Sequence, residues 1–380
     1  MKTMKVVFIS NYFNHHQKFL SYALACRCDY TFVSTAEITS ERLSLGWGEE
    51  TEPEYVLHYS KDRDKAQKAL YEADVIIAGS APEELVQKCI NRNQLVFRYS
   101  ERPLKNGPEP LKYLPRLVKW HLHNPVGKRV YMLCASAYTA PDYAKFGLFK
   151  DKCFKWGYFP EVKEYDSIEK LIEGKKKASI LWAGRFLDWK HPDDAVRVAS
   201  RLKADGYDFE LNIIGTGEMN DALSDMIINE GLEGCVHILG AMKPEEVRRY
   251  MEQSQIYLFT SDRKEGWGAV LNESMNSGCA VVACKAIGSA PYLVEDGENG
   301  LLYPSGDVDG LYSKVKFLLD NPYEAKRIGK NAYETVSKTW NAEVAAERFI
   351  SLAQSILSGK KPLDMFESGP CSLDNEVRED

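Results

Sequence analysis

The sequence predicts an α/β fold of two doubly wound parallel-sheet domains facing one another across a cleft. Three observations carry that expectation. Short apolar runs alternate with helix-length amphipathic segments along the whole chain, the pattern of repeated βα units. The 380 residues exceed what one hydrophobic core holds and suit two domains of ~150–200 residues. A polar, charged segment, PEVKEYDSIEKLIEGKKKAS (160–179), separates one series of such units from a second.

In the first series the strand candidates are KVVFIS (5–10), YTFVS (30–34), DVIIAG (74–79), LVFRYS (95–100), RVYMLCAS (129–136) and CFKWGY (153–158). In the second they are SILWAG (179–184), FELNIIG (209–215), VHILG (236–240), IYLFTS (256–261), AVVAC (280–284) and GLLYP (300–304). Segments such as HPDDAVRVASRLKADG and KPEEVRRYMEQSQ show helical spacing, with acids in the first turn and proline at the start. The expected boundaries are a first domain over 1–165, a joint near 170 and a second domain over 175–340. A closing helix over 341–358 and a polar, disordered tail over 359–380 complete the chain.

Composition bounds the class. The chain is 44% apolar and 27% charged, with no run of about 18 apolar residues to cross a bilayer. MKTMKVVFISNYF runs into a strand without a signal-peptide pattern, and nine scattered cysteines form no CxxC pair. Both features point to a cytoplasmic protein with reduced thiols. The net charge of −6 is uneven: residues 1–160 hold 23 Lys+Arg against 17 Asp+Glu, the remainder 26 against 38. A basic first half suits an anionic acceptor or an anionic membrane surface; its excess is too small to imply nucleic acid.

The stretch KEGWGAVLNESMNSG (264–278) concentrates the chemistry. Placed between strands IYLFTS and AVVAC, Ala269 to Asn276 form a short helix opening at Gly266-Trp267-Gly268. Unpaired N–H groups at its start make an anion site, and the glycines let the backbone approach a phosphate. Arg185 and Lys190 follow strand SILWAG and face the same spot, where cations neutralise a pyrophosphate. A carboxylate beside a pyrophosphate is repelled, so Glu265 and Glu273 need hydroxyl partners. Eight helical residues span ~12 Å, comparable to the distance between the two sugars of a nucleotide sugar. Glu265 is thus assigned to the transferred sugar and Glu273 to the ribose. A Glu pair or a Gly-x-Gly turn recurs by chance in many helices; the Arg-Lys element after strand SILWAG, likewise at a strand-to-helix turn, gives the pair its weight.

The stretch from ILWAGRFLDWK through FELNIIGTGE, VHILGAMKPEEV and EGWGAVLNESMNSGCAVVA to ENGLLYPSGD resembles the C-terminal domain of retaining GT-B glycosyltransferases of family 4, the glycosyl transferases group 1. The resemblance runs over about 178–340. It implies two Rossmann-like domains, a UDP- or GDP-sugar donor in the cleft, pyrophosphate contacts from Arg185, Lys190 and the backbone at Gly268, Ala269 and Val270, and no metal or other cofactor. It further implies that the base lies against the turn at Gly240, Ala241 and Met242, and that the closing helix crosses back to the first domain. Three departures stand out: Trp267 where the family usually has Phe, Cys279-Ala280 for the common x-Pro, and IGSAPYLV (287–294) without the usual Gly-Gly and Glu.

In the first domain, Asn14, His15 and His16 replace the glycine-rich loop expected after strand one and are read as donor-phosphate or acceptor ligands, with helix capping the competing account. Glu101 and Arg102 follow a strand and face the same choice between acceptor and structural salt bridge. LKYLPRLVKWHLHNPVGKRV (111–130) is basic and amphipathic. A core-packed helix with a solvated face is the favoured account, and peripheral membrane contact the alternative. The Asp pairs DRD (62–64) and DVD (307–309) are read as chance matches to a metal motif. The expected function is transfer of a hexose-type sugar to a glycan or lipid-linked acceptor. Two rivals are a non-catalytic sugar-nucleotide-binding protein of this fold and a nucleotide-dependent oxidoreductase, the latter prompted by IIGTGE (213–218), which lacks a third glycine.

Overall fold

The structure is a computed structural model that describes residues 3–38, 52–360 and 365–375. The chain divides into two compact units, Met1–Pro160 with Trp340–Glu379 and Glu161–Thr339.

The first unit holds a seven-stranded parallel sheet in the order β3-β2-β1-β4-β5-β6-β7. Its strands are β1 (Lys5–Ser10), β2 (Asp29–Ser34), β3 (Val56–His58), β4 (Val75–Ala78), β5 (Leu95–Ser100), β6 (Val130–Cys134) and β7 (Cys153–Lys155). Val6–Ile9 and Val75–Ile77 are buried on both faces, which is why they read as unbroken apolar runs rather than alternating ones. Among the described strands of this unit, only β3, three residues on the sheet edge, escaped the sequence reading. The helix Ala342–Leu357, capped by Asn341 through the Val344 N–H, belongs to this unit. Its Phe349 ring lies 5.1 Å from Phe97.

The second unit holds a six-stranded parallel sheet in the order β10-β9-β8-β11-β12-β13. Its strands are β8 (Ser179–Ala183), β9 (Glu210–Ile214), β10 (Val236–Gly240), β11 (Ile256–Phe259), β12 (Ala280–Cys284) and β13 (Leu301–Tyr303). From β8 the chain winds outward one way, and from β11 the other. The crevice between β8 and β11 is therefore the topological switch point, the place where such sheets bind ligands.

Three expectations are corrected. Residues 161–178 are no free linker: the helix Ile168–Glu173 buries Ile168 and Ile172, and Lys175 donates to the carbonyls of Met251 and Glu252. Charge made the segment look like a tether, but its few apolar residues and one lysine stem are enough to seat it on the second unit. The tail is not disordered over 365–375. The Cys371 N–H donates to the Lys155 carbonyl (2.8 Å) and the Asp374 N–H to that of Cys153 (2.9 Å), so the segment covers the open edge of β7. The rest of that tail lies outside the described residues. Finally, the helix Pro110–His123 packs on the core through Leu117 and Trp120, as expected, but none of its residues is fully buried and its outer face is apolar rather than polar.

Candidate active site

Lys190 ends a short 3₁₀ turn, Asp188–Lys190, directly after β8, and is tied to the end of β11. The buried Thr260 hydroxyl accepts from the Trp182 indole N–H (2.8 Å) and shares its one proton between the carbonyls of Lys190 (2.7 Å) and His191 (2.9 Å). The Asp262 N–H adds a bond to the Trp189 carbonyl (2.9 Å). These bonds fix the backbone from which the Lys190 side chain reaches Glu265, with Nζ 2.5 Å from Oε2. Both side chains are 14% exposed, and the Ser261 hydroxyl donates to the same carboxylate oxygen (3.0 Å). The sequence placed Lys190 on phosphate and Glu265 on sugar as separate tasks; the structure brings them into one ion pair.

Arg185 also follows β8. It is exposed and makes no ion pair among the described residues, so its guanidinium remains available to an anion.

The turn ahead of the helix Val270–Asn276 is held from below. The Gly288 N–H donates to the Glu265 carbonyl (3.3 Å) and the Ser289 N–H to that of Trp267 (3.2 Å). Trp267 is wholly buried, its indole N–H on Asn272 Oδ1 (2.9 Å). The Trp267 side chain is thus an internal post beneath the turn, so a substrate contact expected of this residue falls to its backbone. Gly268 has φ +84°, and a Cβ there would lie 2.5 Å from the Phe259 ring, so the turn requires glycine twice over. Ala269 caps the helix with no side-chain acceptor, and the first turn bond runs from the Leu271 N–H to the Gly268 carbonyl (3.0 Å). The leading N–H groups are therefore left without a cap.

Glu273 is half-buried, and its carboxyl makes no hydrogen bond among the described residues. Burial pushes its pKa up, with Arg248 opposing. Both Glu265 and Glu273 bear on the buried Tyr257 hydroxyl, whose pKa is raised by burial and then by these charges. That hydroxyl donates to the Ala183 carbonyl (3.1 Å). Glu265 lies in the turn after β11, and Glu273 on the helix that follows it. Thr260, Ser261 and Tyr257 were missed, although a Thr-Ser pair closing an apolar strand is a legible signal.

Ala241 is exposed just beyond Gly240, whose carbonyl accepts from the Gly215 N–H (2.9 Å). The glycines of IIGTGE have a packing cause. A Cβ on Gly215 would lie 1.8 Å from the Gly184 carbonyl oxygen, and one on Gly217 2.5 Å from that of Phe186. The loops after β8 and β9 lie backbone against backbone, which removes the motif that prompted the oxidoreductase reading.

In the first unit the expected ligands separate. Asn14 is buried, and its Oδ1 accepts from the His16 N–H (2.9 Å), so its side chain caps the helix His15–Ala25. His16 stacks on Tyr158 at 4.9 Å, and burial followed by the neighbouring His15 lowers its pKa to about 3. It is neutral at physiological pH. His15 is exposed. Glu101 accepts from the Tyr158 hydroxyl (2.6 Å), joining the same cluster. Arg102 is buried on Asp142 and over the Tyr138 ring, a structural pair. A cavity of about 390 Å³ opens at the ends of β4 to β6, lined among others by Glu83, Arg98, Lys119, Trp120, His123 and Tyr143.

Among the described residues no group of three His, Cys, Asp or Glu is placed to hold a metal. Asp307 caps its helix through the Gly310 N–H, and Asp309 pairs with Arg201.

Two doubly wound units of this kind define a GT-B fold. The crystal structure of Anabaena Alr3699/HepE in complex with UDP superposes with a TM-score of 0.70 over 93% of this chain and all of that one, at 19% identity. A glycosyltransferase from Rickettsia africae gives 0.67 over 95% and 100%, at 14% identity. Residues 164–335, most of the second unit, match the family model described as glycosyl transferases group 1. The amylovoran biosynthesis glycosyltransferase AmsK of Erwinia amylovora is 28% identical over 182 residues, 47% of this chain and 44% of its own. The N-acetyl-alpha-D-glucosaminyl L-malate synthase of Bacillus anthracis is 22% identical over 302 residues, 79% and 70% of the two chains. With AmsK the match thus spans less than half the relative's length.

Proposed function

We propose that this chain is a retaining glycosyltransferase moving a hexose-type sugar from a nucleoside diphosphate sugar to an acceptor hydroxyl, in polysaccharide, surface glycan or glycolipid synthesis. The observation that carries the reading is the Lys190–Glu265 pair at the β8–β11 switch point, beside Arg185 and an uncapped helix start. The UDP-glucose complex of Anabaena HepE supports the donor class, and the amylovoran biosynthesis role in the AmsK name supports the biosynthetic setting.

In this reading Arg185, Lys190 and the N–H groups of Gly268 to Val270 hold the diphosphate and stabilise the charge it gains as the glycosidic bond breaks. Glu265, paired with Lys190, accepts hydrogen bonds from hydroxyls of the transferred sugar, and Glu273 takes the ribose diol. The base lies against Ala241. The acceptor oxygen attacks the anomeric carbon on the face the diphosphate leaves, and its proton passes to a leaving phosphate oxygen. No protein nucleophile is required. His15, His16 and the cavity at Arg98 serve the acceptor side.

The test is incubation of the full chain with UDP- and GDP-hexoses, following nucleoside diphosphate release and the anomeric configuration of product by NMR. Retention with a hexose donor supports the proposal. Inversion overturns the mechanism, and donor binding without turnover in the presence of candidate acceptors leaves a non-catalytic sugar-nucleotide binder.

A further inference from the structure

We infer that the helix Pro110–His123 is a docking element that lies flat on an anionic membrane surface. Its inward side is modestly seated: Leu117 and Trp120 pack on the core of the first unit, and Tyr113 stacks on Phe146 at 4.8 Å. The opposite side is apolar and bare. Leu111 is 96% exposed, Leu114 68%, Val118 58% and Leu122 69%, and Val126, just past the helix, is 90% exposed. At helical spacing the four helix residues fall within an arc of about 100°, a continuous stripe facing solvent. One exposed leucine is ordinary, but a contiguous stripe marks a surface that something covers.

Charge selects the occupant. Residues 105–130 carry Lys105, Lys112, Arg116, Lys119, Lys128 and Arg129 against one acid, Glu109. Glu109 pairs with Lys112 and Arg116, while Lys119 makes no ion pair among the described residues. Lys112 and Lys119 both lie about 80–100° from Leu111 around the helix, along one border of the stripe, where they meet headgroups as the leucines enter the acyl boundary. A second copy docking through the same stripe would set like-charged lysine rows together. Fourteen residues are too few to span a bilayer, and no described helix is long and apolar enough to do so. The helix lies on the membrane rather than through it. This inference stands independently of the sugar-transfer reading.

The experiment is co-sedimentation of the full chain with vesicles of phosphatidylcholine alone and with added phosphatidylglycerol. Binding is expected only to the anionic vesicles and should weaken with salt. It should fall roughly fivefold for each of Lys112→Ala and Lys119→Ala, and at least about tenfold for Leu114→Glu with Val118→Glu. Unchanged thermal unfolding of the variants excludes misfolding, and Val126→Glu provides a second probe outside the helix. No binding to anionic vesicles, equal binding to neutral ones, or binding indifferent to the leucine and valine changes overturns the inference. So does a wild-type dimer that the Leu114→Glu/Val118→Glu variant converts to monomer. Donor hydrolysis measured on the Lys112→Ala and Leu114→Glu/Val118→Glu variants, which lie outside the cavity lining, reports separately on the proposed activity.

Discussion

Replacing Glu265 by Gln probes the site with a sign as well as a size. Glu265 neutralises Lys190 at 2.5 Å. Bare Coulomb attraction there is about 6–7 kcal/mol at an effective dielectric of ~20. Desolvation of two largely buried groups offsets most of it, leaving a coupling of ~1–3 kcal/mol in a double-mutant cycle. A free nucleoside diphosphate, which has no sugar for Glu265 to hold, must draw Lys190 away from that carboxylate. Glu265→Gln therefore releases the lysine and should tighten binding of UDP or GDP, while transfer of the sugar falls by roughly 100-fold or more as charge-assisted hydroxyl bonds are lost. Lys190→Met should weaken binding of both the free nucleotide and the donor by ~10–100-fold, one charge-assisted phosphate contact. Isothermal titration with nucleotide, beside turnover with the cognate donor, reads both effects. Equal loss of nucleotide affinity in the two variants would refute the division between a phosphate cation and a sugar carboxylate.

Further perturbations test the frame around that pair. Gly268→Ala forces a side chain onto a backbone at φ +84° and into the Phe259 ring, and should lower stability by ~1–3 kcal/mol and reduce donor affinity, measured by calorimetry and titration. His16 has a folded pKa of about 3 against an ordinary 6.5, so the unfolded chain binds the proton first. Its contribution is complete above pH 6.5 and is lost as pH falls toward 3, by up to ~1.4 kcal/mol per unit; a His16→Gln chain should show a flatter decline in melting temperature between about pH 6.5 and pH 4. Truncation after Lys360 uncovers the edge of β7 and the buried Cys371 contact, so the shortened protein should melt lower and aggregate sooner than the full chain. An unchanged melting temperature would mean that the 365–375 segment adds nothing to the first unit.

The sequence by itself determined the strands, because parallel strands buried on both faces write themselves as unbroken apolar runs. KVVFIS, AVVAC and IYLFTS needed no tertiary information, and their alternation with capped helices implied the doubly wound class. It also singled out one turn as the candidate site, since glycines, a cation and two acids at strand ends are unusual company for a core. What it left open depends on distance between chain segments. That Lys190 meets Glu265 follows from Thr260 and Asp262 bonding the loop after β8, which no local pattern reports. Trp267 and Asn14 look like ligands until burial turns one into a post and the other into a cap. The glycines of IIGTGE mimic a dinucleotide signature, and only the packing of two loops at carbonyl contact reveals their cause. Polar segments misled most. Hydrophobic periodicity says which residues must leave water, but a chain such as 161–178 or 365–375 is held largely by backbone hydrogen bonds and a few buried groups, and these have no period to read.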